Sequence, residues 1–119
     1  MNKIVYNVTV SVDHEIHEEW ITWMKDIHIP DVMNTGKFLQ NRILRVHGEE
    51  ENGVTYAVQY TALNRSELDS YFAEHAPRLQ KDHVDKYGNR AVAFRTILEL
   101  SLIHISEPTR QAEISYAVF

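Results

Sequence analysis

Ile4, Tyr6, Val8, Val10 and Val12 alternate with Val5, Asn7, Thr9 and Ser11 near the start of the chain. A period of two built from β-branched and aromatic residues predicts a strand with one wholly apolar face and one semi-polar face. The apolar face has to be covered, and the next segment offers the cover. Asp13 is placed to cap a helix, with Glu15, Glu18 and Glu19 in its first turns favouring the positive end of the helix dipole. Ile16, Trp20, Trp23, Met24 and Ile27 then recur at helical spacing as one apolar face. Pro30 disfavours helical geometry at Ile29 and removes a backbone donor. A kink or break is expected there, followed by a short turn through Asp31, Val32 and Met33 and a stop at Gly36.

The pattern then repeats with a hairpin in front. Phe38 to Val46 reads as a second strand in which Arg42 and Arg45 interrupt the apolar residues. Gly48 to Gly53 is an acidic turn ending in Asn-Gly, a strong hairpin signal. Val54, Tyr56, Val58 and Tyr60 alternate with Thr55, Ala57, Gln59 and Thr61 as a third strand. Asn64, with Glu67 three residues on, resembles a capping box. Leu68, Phe72, Ala76 and Leu79 form the stripe of a second helix, which Pro77 kinks or restarts and Tyr87-Gly88-Asn89 ends. Ala91 to Leu98 is a fourth strand. The order βαββαβ predicts an α+β, ferredoxin-like fold: a four-stranded antiparallel sheet with two helices on one face. The other face, with Val5, Asn7, Thr9, Ala57 and Gln59, is left uncovered. A homodimer through that open sheet face is the expected assembly.

At 119 residues the chain has the length of one domain, large enough to need no disulfide or metal staple. It has no cysteine, which removes thiol chemistry and Cys-ligated zinc and suits a cytoplasmic protein. Neither a signal peptide nor an apolar run of about 20 residues is visible. Of 12 basic and 17 acidic residues, Arg110, Glu107 and Glu113 lie in the last twenty positions, which leaves 11 and 15 before them, a net −4. A mildly acidic domain without a basic stripe does not suit nucleic acid or an anionic membrane, so a small-molecule ligand or a protein partner is expected. No cofactor motif is present: the chain has neither a Gly-rich phosphate loop nor a Ser/His/Asp signature.

Histidines carry most of the remaining chemical interest. His14-Glu15-Ile16-His17 lacks zinc-protease spacing and reads as a solvated first turn. His28 stands just before Ile29-Pro30. There it can satisfy open carbonyls as a cation, or act in a pocket as a general base, since its ordinary pKa of about 6.5 suits proton transfer near neutrality. His75 and His83 fall near the stripe of the second helix, and inward-facing rings need partners for their nitrogens. A metal triad of His28, His75 and His83 would require the two helices to approach at those points, and no metal site is expected. Arg95 in strand four and Gln59 in strand three are both expected on the polar side of the sheet. Arg95 needs a partner, either a carboxylate-bearing ligand or a salt bridge across a dimer. Trp23 joins Arg95 and Gln59 as a candidate ligand contact, while Tyr6, Tyr56 and Tyr60 read as core aromatics.

Several segments carry a family resemblance: IVYNVTVSVD at Ile4 to Asp13, WITWMKDIHIPDVMNTGKF at Trp20 to Phe38, VTYAVQY at Val54 to Tyr60, AEHAPRLQKDH at Ala73 to His83 and AVAFRTILE at Ala91 to Glu99. In order and spacing they resemble a bacterial family known as domain of unknown function 4286, over nearly all of Met1 to Glu99. The resemblance implies a ferredoxin-like fold and kinship with dimeric α+β-barrel proteins, among them small cofactor-independent monooxygenases and stress-response proteins. Three functions are compatible with it. They are a homodimeric small-molecule-binding or regulatory domain, a cofactor-independent monooxygenase-like or isomerase-like enzyme with a pocket histidine as acid/base, and a structural interaction module.

The last twenty residues read differently. LSLIHISEPTR at Leu100 to Arg110 resembles a translation of the transposon-derived adapter used in short-read sequencing, and ISYAVF at Ile114 to Phe119 resembles the adapter beyond its barcode. Gln111 to Glu113 fill the barcode gap. The expected organisation is a domain over 1–99 and a non-native tail over 100–119. Deleting Leu100 to Phe119 is accordingly expected to leave the melting temperature unchanged or raised, whereas a loss of several degrees would show that the tail packs as part of the fold.

Overall fold

The computed structural model describes residues 2–48 and 53–100. Ten elements follow one another: β1 (Ile4–Asp13), α1 (His17–Trp23), a wide π-helical turn (Met24–His28), α2 (Ile29–Met33), β2 (Gln40–Arg45), β3 (Gly53–Ala62), α3 (Arg65–Glu74), α4 (Ala76–Tyr87), a 3-10 turn (Gly88–Arg90) and β4 (Ala91–Glu99). The strands form one antiparallel sheet in the order β2-β3-β1-β4. This is the α+β, ferredoxin-like arrangement the element order predicts.

β1 holds the sheet together, paired with β3 from Ile4↔Ala62 to Asp13↔Gly53 and with β4 from Ile4↔Glu99 to Val12↔Ala91. Because side chains alternate across a strand, this register decides what meets the helices. Tyr6, Val8, Val10 and Val12 share a face with Val54, Tyr56, Val58 and Tyr60, and the helices cover that face. Trp20, Leu68, Leu79, Val10, Val12, Val54 and Val58 are fully buried in the resulting core. Gly53 is needed where β3 starts, since a Cβ there would lie 2.5 Å from the Val12 carbonyl oxygen. Gln59, opposite Asn7, lies on the open face as expected. Arg95 does not: it pairs with Val8 and so shares the helix-covered face.

The first helix departs from expectation in an informative way. Pro30 does not break it, and helical backbone continues through Met33. Pro30 supplies no N–H for the Asp26 carbonyl, and its ring crowds that carbonyl. The chain widens the turn ahead of it instead, with the Ile29 amide donating to Met24 O, five residues back. One extra residue in one turn rotates everything after it. In an uninterrupted helix Ile27, seven residues from Trp20, would share its face; here Ile27 is 50% exposed, while Ile29 and Val32 are buried. The buried face becomes Ile16, Trp20, Met24, His28 and Val32, a strict spacing of four.

Asp13 does not cap α1. It is the last residue of β1, its carbonyl accepts the Ile16 amide, and its carboxylate lies 3.5 Å from Arg90. Asn64 does cap α3, its Oδ1 accepting the Glu67 amide at 2.9 Å. The chain breaks at His75 and restarts with Pro77 in the first turn of α4, where a missing N–H costs nothing. α4 ends at Gly88, whose φ of +57° suits glycine. β2 is shorter than expected, although Leu39 and Val46 still donate to β3 on either side of it. Residues 49–52 of the hairpin turn, and the tail after Leu100, lie outside the described residues. The Leu100 amide donates to Lys3 O.

Replacing the α3 cap, Asn64→Ala, should lower stability by about 1 kcal/mol in denaturant unfolding, with the unfolding slope unchanged.

Candidate functional site

The wide turn, α4 and β4 join the tyrosines of β1, β3 and α3 in bringing polar side chains to the space between helices and sheet. The wide turn presents Met24 and His28. On α4 the stripe Ala76, Leu79, His83 and Tyr87 faces inward, with Leu79 1% exposed and Val84 on the opposite side 59% exposed. From the edge strand β4, Ala93 and Arg95 project to the same side. Between them lies a cavity of about 40 Å³, room for roughly three water molecules. Valines, Leu79, Met24 and Ala93 make its apolar walls; His28, His83, Arg95, Gln80, Tyr6, Tyr60 and Tyr71 bring its polar atoms.

The protonation of His83 follows from its partner. The Trp20 indole N–H, which can only donate, lies 3.0 Å from His83 Nε2. Nε2 must therefore be the bare acceptor nitrogen, and the ring proton sits on Nδ1. Burial, reinforced by His28 and Arg95, lowers the pKa of His83 to about 4, so the ring is neutral near pH 7. The pKa of His28 is also lowered, by burial against the opposing pull of Asp31 and Asp82. Its ring stacks on Trp23 at 5.0 Å between centroids and lies 6.0 Å from the ring of His83. Among the described residues neither ring nitrogen of His28 has a hydrogen-bond partner and no buried side-chain nitrogen or oxygen is unpaired. The free nitrogens of His28 and Nδ1 of His83 thus remain accessible. His28 is not the carbonyl cap it could have been.

Arg95 donates its Nε–H to Tyr6 Oη at 3.0 Å. Burial raises the pKa of Tyr6 in spite of that cation, and burial beside neighbouring tyrosines raises those of Tyr60 and Tyr71 further. All three phenols stay protonated. The lining contains no carboxylate.

Of the residues singled out in the sequence, His28, His83 and Arg95 meet at this cavity. His75 does not: it sits at the α3–α4 break, with its ring 6.3 Å from that of Tyr71. A triad with His28 and His83 is therefore not assembled, and no group of three or more His, Cys, Asp or Glu suited to a metal occurs among the described residues. Trp23 stands behind His28, in contact with His83 and Tyr87, and does not line the cavity. Gln59 belongs to a hydrogen-bonded row on the open face, in which Arg42 donates to Gln59, Gln59 to Asn7 and Asn7 to Thr9. His17 is engaged by the Tyr56 hydroxyl at 3.2 Å. Tyr6, Tyr60, Tyr71 and Gln80 were not singled out as site residues. A usable signal was the hydroxyl itself, since a tyrosine at an inward strand position carries a polar atom that must find a partner.

Fold and cavity together define a ferredoxin-like α+β domain with a polar pocket between helices and sheet. The chain belongs to the family described as domain of unknown function (DUF4286), whose pattern matches residues 3–101. No curated protein sequence matches it. Among solved structures, a dimeric ferredoxin-like protein from an uncultured marine organism is similar at 12% identity and TM-score 0.62, over 84% of this chain and 96% of that one. An ethyl tert-butyl ether D (EthD) family protein from Bacillus halodurans is similar at 13% identity and TM-score 0.64, over 82% and 99% of the two chains. HapK from Hahella chejuensis is similar at 11% identity and TM-score 0.60, over 85% and 93%. These likenesses establish the fold. Among the described residues no helix is long and apolar enough to cross a membrane.

The neutral histidines make a pH prediction. For His83 the folded value, about 4, lies below the unfolded value of 6.5, so on acidification the unfolded chain takes up the proton first. The stabilisation is present above about pH 6.5 and is lost as pH falls through about 4. His28 shifts in the same direction and adds to the loss. In an NMR titration the His83 ring signals should hold still between pH 7 and 5; a His83 midpoint near 6.5 would contradict the Trp20 hydrogen bond.

Proposed function

We infer that this domain binds a small molecule in the helix–sheet cavity and does so as a homodimer. The observation that carries the binding reading is the convergence of His28, His83 and Arg95 on one cavity, each with polar hydrogens or lone pairs left unpaired. In a purely structural domain, partners within the fold would be expected for such groups, as the Tyr56 hydroxyl is for His17.

The dimer reading rests on the open sheet face. Val92 and Phe94 of β4 are 57% and 63% exposed there, with Leu98, Leu44 and Val46 also exposed on the same side. An apolar surface of this kind suits burial against a second copy, and one of the similar folds is described as dimeric. The row from Arg42 to Thr9 keeps the polar atoms within that face paired, which lowers the cost of burying it.

A second reading has its own observation. His28 has two unpartnered ring nitrogens and is held neutral by burial, so it can accept a proton at neutral pH. A cofactor-independent enzyme would use it as the general base, with Arg95 steadying the negative charge that develops. His28→Asn would then lower turnover far more than it weakens binding.

The test of the binding reading is a protein-observed NMR fragment screen on the whole chain, with light scattering to read the mass. Fragments should shift the His28, His83 and Tyr6 signals in a protein of dimer mass. Ala93→Leu, which fills the cavity from the edge strand, should remove those shifts, and Phe94→Lys should give a monomer that still folds. Fragment shifts that map away from the cavity, or that survive Ala93→Leu, would overturn the binding reading. A wild-type monomer would overturn the dimer.

A further inference from the structure

We propose that the ligand of this cavity is a small organic monoanion, a carboxylate of two or three carbons, held by the Arg95 guanidinium. The proposal rests on the binding reading above and names its ligand class.

The argument starts from what Arg95 lacks. A guanidinium is charged at any accessible pH and offers five N–H donors in a planar fork. Here Nε–H is spent on Tyr6, and no carboxylate among the described residues lies within ion-pair distance of the rest. Elsewhere in the chain Arg65 pairs with Asp69, and Arg90 stands between Asp13 and Glu15. Nor can a dimer through the open sheet face complete Arg95. A copy packed there meets Phe94 and Thr96, whereas Arg95 shares the opposite face with Val8.

The rest of the lining has the same polarity. Since Tyr6 accepts from Arg95, its own hydroxyl proton is left to donate onward, with the Gln80 side chain in reach. His83 presents a proton on Nδ1, because Trp20 occupies the other nitrogen. A cationic guest would meet Arg95 and find no counter-charge. A neutral one would leave the fork's terminal N–H groups without an anionic partner. An anion matches the fork with two parallel hydrogen bonds, the arrangement in which arginine binds carboxylate best. The remaining walls, Val8, Val10, Val58 and Leu79, suit an apolar body, and the volume of about 40 Å³ sets its scale.

The probes are acetate, its neutral isostere acetamide, and the isosteric acetamidinium cation, titrated into the whole chain with shifts read at His28, His83 and Tyr6. Acetate should bind at least tenfold tighter than acetamide, with acetamidinium weakest. Arg95→Met should reduce acetate to the level of acetamide, and Arg95→Lys, which keeps the charge but not the fork, should recover part of the difference. Arg95 is exposed on an edge strand, so both variants should keep the parent's melting temperature within a few degrees. If acetate and acetamide bind equally, or the preference for acetate survives Arg95→Met, the anion proposal fails and the binding reading stands. If none of the three probes shifts the cavity signals, both fall together.

Discussion

Pro30 is the constraint from which the pocket follows. A proline inside a helix must either stop it or be accommodated, and here one widened turn accommodates it. The consequence is rotational. An ordinary helix drifts by about 40° for every four residues, so a stripe spaced by four would wind away from the sheet. The wide turn takes up that drift within Met24–His28, and the buried face runs from Ile16 to Val32 in steps of four. Ile27 rotates out and His28 rotates in. A histidine thereby occupies a place that a regular helix would have given to isoleucine. π-helical turns recur at functional sites because they set a side chain where regular geometry would not.

A second constraint concerns how polar atoms persist beside an apolar core. Trp20 is fully buried, and its indole N–H needs an acceptor. His83, from the other helical layer, provides one, and the hydrogen bond ties α1 to α4 across 63 residues of sequence. The same bond fixes a tautomer. It leaves one donor nitrogen free and favours a neutral ring, because a protonated imidazole has no lone pair to offer the indole. Core packing and the chemistry of the cavity are thus one interaction seen from two sides: the requirement of Trp20 determines what His83 can present.

Much of the fold was legible because its signals are local. Alternation marked β1 and β3, a β-rich run marked β4, the Asn64 cap marked α3, and Gly88 marked the end of α4. The first helix was misread at one point, and the reason is physical. Pro30 announces that an i→i−4 bond is missing, but a break and a widened turn satisfy that condition equally well, and only packing against the sheet selects between them. The side of the sheet taken by Arg95 was misjudged for a related reason. A charged residue in an apolar strand suggests the wet face, whereas the register against Val8 turns it inward, and its position at the sheet edge lets the guanidinium stay hydrated. Snorkelling of this kind leaves no trace in a period-two pattern. The meeting of His28 with His83 was visible only as an option, since it depends on the phase of two helices interrupted by Pro30 and Pro77.

Edge strand β4 joins the two halves of the functional reading. Alternate residues of one short segment serve different surfaces: Ala93 and Arg95 reach the cavity, while Val92, Phe94 and Leu98 stand on the open face. Alone, an edge strand is bonded on one side only and is among the more easily displaced parts of a sheet. A single hydrogen bond, donated by Arg95 Nε–H and accepted by Tyr6 Oη, steadies the guanidinium, so its position depends on how firmly β4 is held. Packing a second copy against Phe94 would bury the outer side of that strand and restrict its motion, which lowers the entropy cost of ordering the guanidinium when an anion binds. On this geometry the open sheet face and the pocket are served by the two faces of one strand, so whatever fixes β4 from one side acts directly on the other.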